Sequence, residues 1–122
     1  MNMRKFSNVQ EKRVAKKLDG RTQPGSGSIN ITSAKGDVAV TKSENWKVLV
    51  ECKTKAVNKM SPGVRSFSIK KDWLLEVAKQ CREQGKDIPV LAFSFNNKED
   101  YYVLRAQDFE NLLQAAIESE EN

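Results

Sequence analysis

Hydrophobic and polar residues alternate along this chain with three distinct rhythms. Val14, Ala15 and Leu18 recur at helical spacing, and Ser7 followed three residues later by Gln10 has the form of a capping box. The spacing predicts a helix from about Asn8 to Leu18, stopped near Gly20. Glu11 is the anomaly of its inward stripe, because it shares that face with Val14, Ala15 and Leu18, whereas Lys12, Arg13, Lys16 and Lys17 cover the other faces. Asp37 to Thr41 and Trp46 to Thr54 read as strands joined by the polar turn Lys42 to Asn45. In the second of these, Val48, Val50 and Cys52 share one face, and Leu49, Glu51 and Lys53 share the other.

Gln23 to Ser28 is too rich in Gly, Pro and Ser for regular structure, and Ile29 to Thr32 fits a short strand. Lys55 to Ser66, with Pro62 and Gly63, reads as a mobile loop. A second helix is predicted from about Ile69 to Gln84, ending at Gly85, with an apolar stripe of Trp73, Leu74, Val77, Ala78 and Cys81. Ile88 to Phe95 is a strongly strand-like run, Asn96 to Asp100 a hairpin loop, Tyr101 to Leu104 the returning strand and Phe109 to Ile117 a final amphipathic helix. The pattern predicts an α/β fold with a central mixed β-sheet flanked by helices. The 122 residues suffice for one domain, residues 1–122, with the acidic segment 118–122 expected to be a frayed tail.

Charge changes the picture. Residues 1–71 hold 16 Lys/Arg against 5 Asp/Glu, and residues 72–122 hold 5 against 11. A basic portion segregated in this way suits a polyanion, most simply nucleic acid. No apolar run approaches the ~18 residues of a membrane span, and the basic Met1 to Lys5 is not followed by an apolar signal region. The expected location is therefore intracellular, in the cytoplasm. Cys52 and Cys81 form neither a disulfide framework nor a zinc cluster and read as free thiols. The absence of histidine excludes histidine-based nucleases, serine–histidine hydrolases and most zinc enzymes. A metal here would be held by carboxylate and carbonyl oxygen, which favours Mg2+ or Mn2+.

The candidate chemistry lies in Gly36-Asp37-Val38 and Val50-Glu51-Cys52-Lys53. If both are strands of one hairpin, two carboxylates stand roughly 5 Å apart, close enough to share an ion. Lys53 leaves the same strand face as Glu51, where it could orient a water or stabilise negative charge. The peptide carbonyl of Cys52 could complete a metal shell, and Glu11 could be an outer metal or water ligand. Metal held in this way supports phosphodiester hydrolysis.

These residues resemble the PD-(D/E)XK nuclease superfamily. Gly36-Asp37 stands in place of the proline–aspartate motif, Glu51-Cys52-Lys53 matches the Glu-x-Lys element, and Glu11 stands where the first helix often carries an acid. The order of helix, Ser/Gly loop, Gly-Asp strand and Glu-x-Lys strand, over roughly residues 8–95, looks most like archaeal-type Holliday junction resolvases and related small phage nucleases. The resemblance implies a restriction-endonuclease-like core and magnesium-dependent DNA hydrolysis leaving a 5′-phosphate. It also implies a catalytic set of Glu11, Asp37, Glu51 and Lys53, with assistance from a loop serine, Ser26 or Ser28, and it suggests a homodimer acting on branched DNA in recombination or repair. Phe67, Ile69, Trp73 or the final helix could supply the dimer interface.

The expected DNA-binding residues are Arg4, Lys5, Lys12, Arg13, Lys16, Lys17, Arg21, Lys35, Lys55, Lys59, Arg65, Lys70 and Lys71. Trp46, Trp73, Tyr101 and Tyr102 are expected in the core or in strands rather than as base-stacking platforms. Two alternatives stay open: a nicking, flap or general DNA nuclease of the same superfamily, and a catalytically inactive DNA-binding module.

Overall fold

The computed structural model describes residues 3–23, 37–55, 66, 68–95 and 99–121. The elements are α1 (Met3–Leu18), β1 (Arg21–Thr22), β2 (Val38–Val40), β3 (Val48–Lys55), α2 (Lys71–Glu83), β4 (Ile88–Phe95), β5 (Glu99–Leu104) and α3 (Ala106–Glu121). The five strands form one sheet in the order β1-β2-β3-β4-β5. β3 and β4 are parallel, joined through α2, and the other pairings are antiparallel. The predicted mixed sheet with helices packed on it is therefore what forms.

Strand alternation divides the apolar residues between two layers. Val38, Val50, Cys52, Ile88, Val90 and Ala92 pack with Val14 and Ala15 of α1. Leu112 of α3 and Leu104 of β5 lie against the same cluster. On the opposite face, Leu49 packs with Val77 and Cys81 of α2. Each side chain such as Val38 or Val50, removed completely from water, contributes about 1.5–3 kcal/mol.

Several boundaries and faces depart from the sequence expectation. α1 begins at Met3, so Ser7 lies inside the helix and the capping box does not form. Gln10 points inward instead, fully buried, and its amide donates to Ala92 O and to Asp100 Oδ1, both at 3.3 Å. Gly20 does follow the helix, but its role is close approach: a Cβ there would stand 2.5 Å from Ala39 O in β2. The left-handed residue at the end of α1 is Asp19 (φ 56°). At the end of α2, Gly85 itself takes positive φ (67°), as a C-terminal stop should.

β1 was not expected; it pairs with β2 through Arg21↔Ala39 and Thr22↔Val38. α3 is longer than its periodicity suggested and is helical through Glu121, including most of the acidic segment expected to fray. It turns Asp108 and Leu112 inward and leaves Phe109, Leu113 and Ile117 exposed. Arg105 holds Asp108 through two guanidinium contacts, at 2.7 and 3.2 Å. Tyr101 and Tyr102, expected in the core or strands, are strand residues of β5 but are 46% and 40% exposed, because β5 is an edge. Trp46 does pack against the α1-side core. The expected loops at 24–28 and 56–65, the short strand Ile29 to Thr32 and most of the hairpin loop at 96–98 lie outside the described residues. No helix among the described residues is long and apolar enough to cross a membrane.

Candidate active site

Asp37 is set in place by backbone pairing before its side chain does anything. Its N–H donates to Val50 O at 3.0 Å, and its carbonyl accepts from Gln23 N–H at 3.1 Å. Because Val38 pairs with Val50 in antiparallel register, Asp37 stands across from Glu51 on the α2 side of the sheet. One carboxylate oxygen of Asp37 accepts the N–H of Cys52 at 2.6 Å, a short charge-assisted bond that fixes the buried acid against β3.

Glu51 occupies the matching position on β3. Burial, and next the negative charge of Asp37, push its carboxyl up to about 7; Lys53 opposes the shift, while a hydrogen bond with Asp37 and the charge of Glu76 add to it. Two acids brought so close hold a proton, or a cation, more readily than either would alone. Lys53 Nζ lies 4.0 Å from Glu51 Oε1. The same ammonium sits 4.7 Å from the centroid of the Trp73 ring, which Lys70 Nζ also approaches at 5.7 Å. A cation over an indole face gains about 0.5–2 kcal/mol, enough to bias the lysine toward the acid pair.

The cleft at this point is lined by Glu51, Lys53, Trp73, Glu76, Val77 and Gln80. Four of these come from α2, and the roles of Glu76 and Gln80 were missed from the sequence. The available signal was helical spacing: Trp73, Glu76, Val77 and Gln80 share one face of α2. Gln80 donates its amide to Glu76 Oε1 at 3.1 Å, and its own carbonyl oxygen is buried with no hydrogen-bond partner among the described residues. The available donors are oxygens: two adjacent carboxylates, Asp37 and Glu51, and further acceptors from Glu76 and Gln80 of α2. That chemistry fits a hard divalent cation such as magnesium or manganese.

Asp37, Glu51 and Lys53 are thus brought together as the strand pattern implied. Glu11 is not brought into the pair: no group of three or more Asp, Glu or Cys side chains able to hold a metal occurs among the described residues. The reason is that α1 packs on the other side of the sheet from Glu51 and turns Gln10, not Glu11, fully inward. The charge of Glu11 is felt at the Cys52 thiol, whose pKa is pushed well up, first by burial and then by the acids around it. Cys52 and Cys81 are both free and buried.

The basic residues divide in the same way. Lys70 precedes and Lys71 opens α2, and Lys70 Nζ lies 5.7 Å from the ring of Trp73, which lines the cleft. Lys12, Lys16 and Lys17 are exposed on α1, across the sheet, and Arg21 is exposed on β1. Arg13 is turned onto Asp100, with Nε–Oδ2 at 2.6 Å and a second guanidinium contact at 2.7 Å, and approaches Ser94 Oγ at 3.5 Å. It therefore ties α1 to β4 and β5. Arg4, Lys5 and Lys55 are described only in their backbone, and Ser26, Ser28, Lys35, Lys59, Arg65 and Phe67 lie outside the described residues.

A sequence profile of the family described as "Phage putative PDDEXK endonuclease" matches residues 5–121, nearly the whole chain. No curated protein and no solved structure matches the chain. The chain belongs to this phage PD-(D/E)XK endonuclease family, and its five-stranded mixed sheet with three helices is the restriction-endonuclease-like fold. Membership in this endonuclease family supports a nuclease, a phosphodiester hydrolase, and nucleases of the PD-(D/E)XK kind generally use divalent metal ions.

Proposed function

We propose that this phage PD-(D/E)XK nuclease is a magnesium- or manganese-dependent endonuclease that cuts branched DNA in the manner of a junction resolvase, leaving a 5′-phosphate. The observation that carries the hydrolytic reading is the pair Asp37 and Glu51 facing each other across β2 and β3 with Lys53 Nζ 4.0 Å from Glu51 Oε1. In this reading Asp37, Glu51 and the Cys52 carbonyl would hold the cation. When bound, the metal supplies a water of lowered pKa and neutralises charge on the phosphoryl oxygens. Lys53, steadied by Trp73, places an ammonium where negative charge accumulates on the phosphate or orients the attacking water. Asp37 keeps its orientation through the Cys52 N–H, so the acid pair is preorganised before substrate arrives. Glu76 adds an acceptor from α2 that can hold a water beside the pair.

The basic portion favours backbone contacts, which position DNA without reading its sequence and so suit selection by shape. A symmetric homodimer would give a junction two cutting sites, and the exposed Phe109, Leu113 and Ile117 of α3 offer an apolar stripe for such contact. The test is digestion of a four-way junction, a flap and a linear duplex side by side, with magnesium and with manganese. Preferential, paired incision of the junction is expected, and Glu51→Gln should abolish cleavage while retaining DNA binding. Equal cutting of all three substrates would refute the resolvase reading. No cutting by the wild type, with unchanged binding by Glu51→Gln, would refute the enzyme reading.

A further inference from the structure

The register that sets Glu51 and Lys53 on the α2 side of the sheet continues into an aromatic surface. Lys53 pairs with Phe93, and Phe93 pairs with Tyr101. The Phe93 and Tyr101 rings are stacked, with centroids 5.4 Å apart and planes inclined by 22°. Phe95 meets both edge-on, at 5.6 Å from Phe93 and 5.9 Å from Tyr101. Tyr101 is nevertheless 46% exposed, because β5 pairs only with β4 and forms the edge of the sheet. Two strand spacings, about 10 Å, separate the Lys53 position from the Tyr101 position.

From this continuity, and resting on the nuclease reading above, we propose that Tyr101, braced by Phe93 and Phe95, is a stacking site for one unpaired nucleobase next to the phosphate held at Asp37, Glu51 and Lys53. An aromatic side chain on a sheet face accepts any base through its π-face, whereas a base within a duplex is already stacked on its neighbours. The charges orient the strand. Lys53 and Lys70 lie over Trp73 on the inner side, where they attract the sugar–phosphate backbone. Glu99, exposed on the same face of β5 as Tyr101, repels a phosphate there. The backbone is therefore drawn toward the lysines, and the base rather than the phosphate lies over β5. DNA with an unpaired base at the break or branch is the substrate class this surface selects.

The test compares two short duplexes, one carrying a single unpaired adenine and the other an abasic residue at that place. Affinities are read by fluorescence anisotropy with calcium replacing magnesium to hold off cleavage. The wild type is expected to bind the adenine-bearing DNA about tenfold more tightly than the abasic DNA, the scale of one base–aromatic stack. Tyr101→Leu should collapse that ratio to about one, and Tyr101→Phe should preserve it. Because the readout is a ratio within one protein, a partial loss of folding does not imitate the effect. A ratio of one in the wild type, or an undiminished ratio in Tyr101→Leu, overturns the proposal. Cleavage with magnesium in the same preparations separates the two readings: a base-dependent ratio without cleavage removes the nuclease reading and keeps the stacking site, and cleavage with a ratio of one does the reverse.

Discussion

The two faces of β3 do opposite work with alternating residues of one strand. Toward α1, Val50 and Cys52 join a closed apolar layer with Val14, Val38, Val90 and Ala92. Toward α2, Glu51 and Lys53 stand beside Asp37 in an open cleft, with their side chains 26% and 32% exposed. The first face excludes water and holds the strand pairing in register. The second uses that register to bring two acids together in a partly buried site, at a cost visible in the pKa of Glu51, raised first by burial and then by the charge of Asp37. Backbone geometry fixed by one side of the strand is thus what preorganises the other, and single substitutions on β3 should separate stability from chemistry.

The largest separation is expected from Lys53→Ala. Loss of one preorganised cation at a site of developing charge should lower kcat by about 10²–10³-fold, with only a small drop in the thermal midpoint, since the contacts of Lys53, to Glu51 and to the Trp73 ring, lie in the open cleft. Single-turnover cleavage together with calorimetry checks this; a collapsed midpoint would mean that the open face also holds up the fold. On the opposite face, Val50→Ala removes two methyl groups from a fully buried site. It should lower stability by about 2 kcal/mol, read as a lower denaturant midpoint, while kcat per folded molecule stays near wild type. A kcat loss comparable to that of Lys53→Ala would show that the faces are not independent.

A smaller effect sharpens the electrostatic half of the comparison. The folded-state pKa of Glu51, about 7, lies above its ordinary value of 4.5, so the folded protein binds that proton more tightly than the unfolded chain. This contribution is fully present below pH 4.5 and is lost as pH rises through about 7. Metal-free wild type should therefore lose stability across that window, on the order of 1 kcal/mol after solvent screening of a partly open group. Glu51→Gln should show no such loss and should melt at a higher temperature than wild type at pH 8. Melting curves without divalent metal test it; parallel pH profiles for the two proteins would contradict the raised pKa of Glu51.

What could be read without the fold follows from local periodicity. A strand turns alternate residues to opposite sides, so Glu51 and Lys53 had to part from Val50 and Cys52, and a two-strand hairpin set Asp37 near Glu51. Gly85 marked a helix end for a similarly local reason. Helix α1 shows where local reasoning stops. Gln10 and Glu11 are adjacent polar residues about 100° apart on the helix, and periodicity alone does not choose between them. The choice falls to Gln10 because Ala92 and Asp100, more than 80 residues away, accept its amide. Arg13 is likewise drawn onto Asp100, a partner 87 residues away.

The sequence by itself determined the acid pair, its lysine and the basic character of the half that carries them, since each follows from residue type and a period of two. Only the tertiary structure decided which helix covers which face of the sheet. That packing put Glu11 and the α1 lysines across the sheet from the acids, brought Trp73, Glu76 and Gln80 into the cleft, and left Tyr101 exposed at the edge. These outcomes depend on contacts between residues far apart in the chain, whose energies no local spacing encodes.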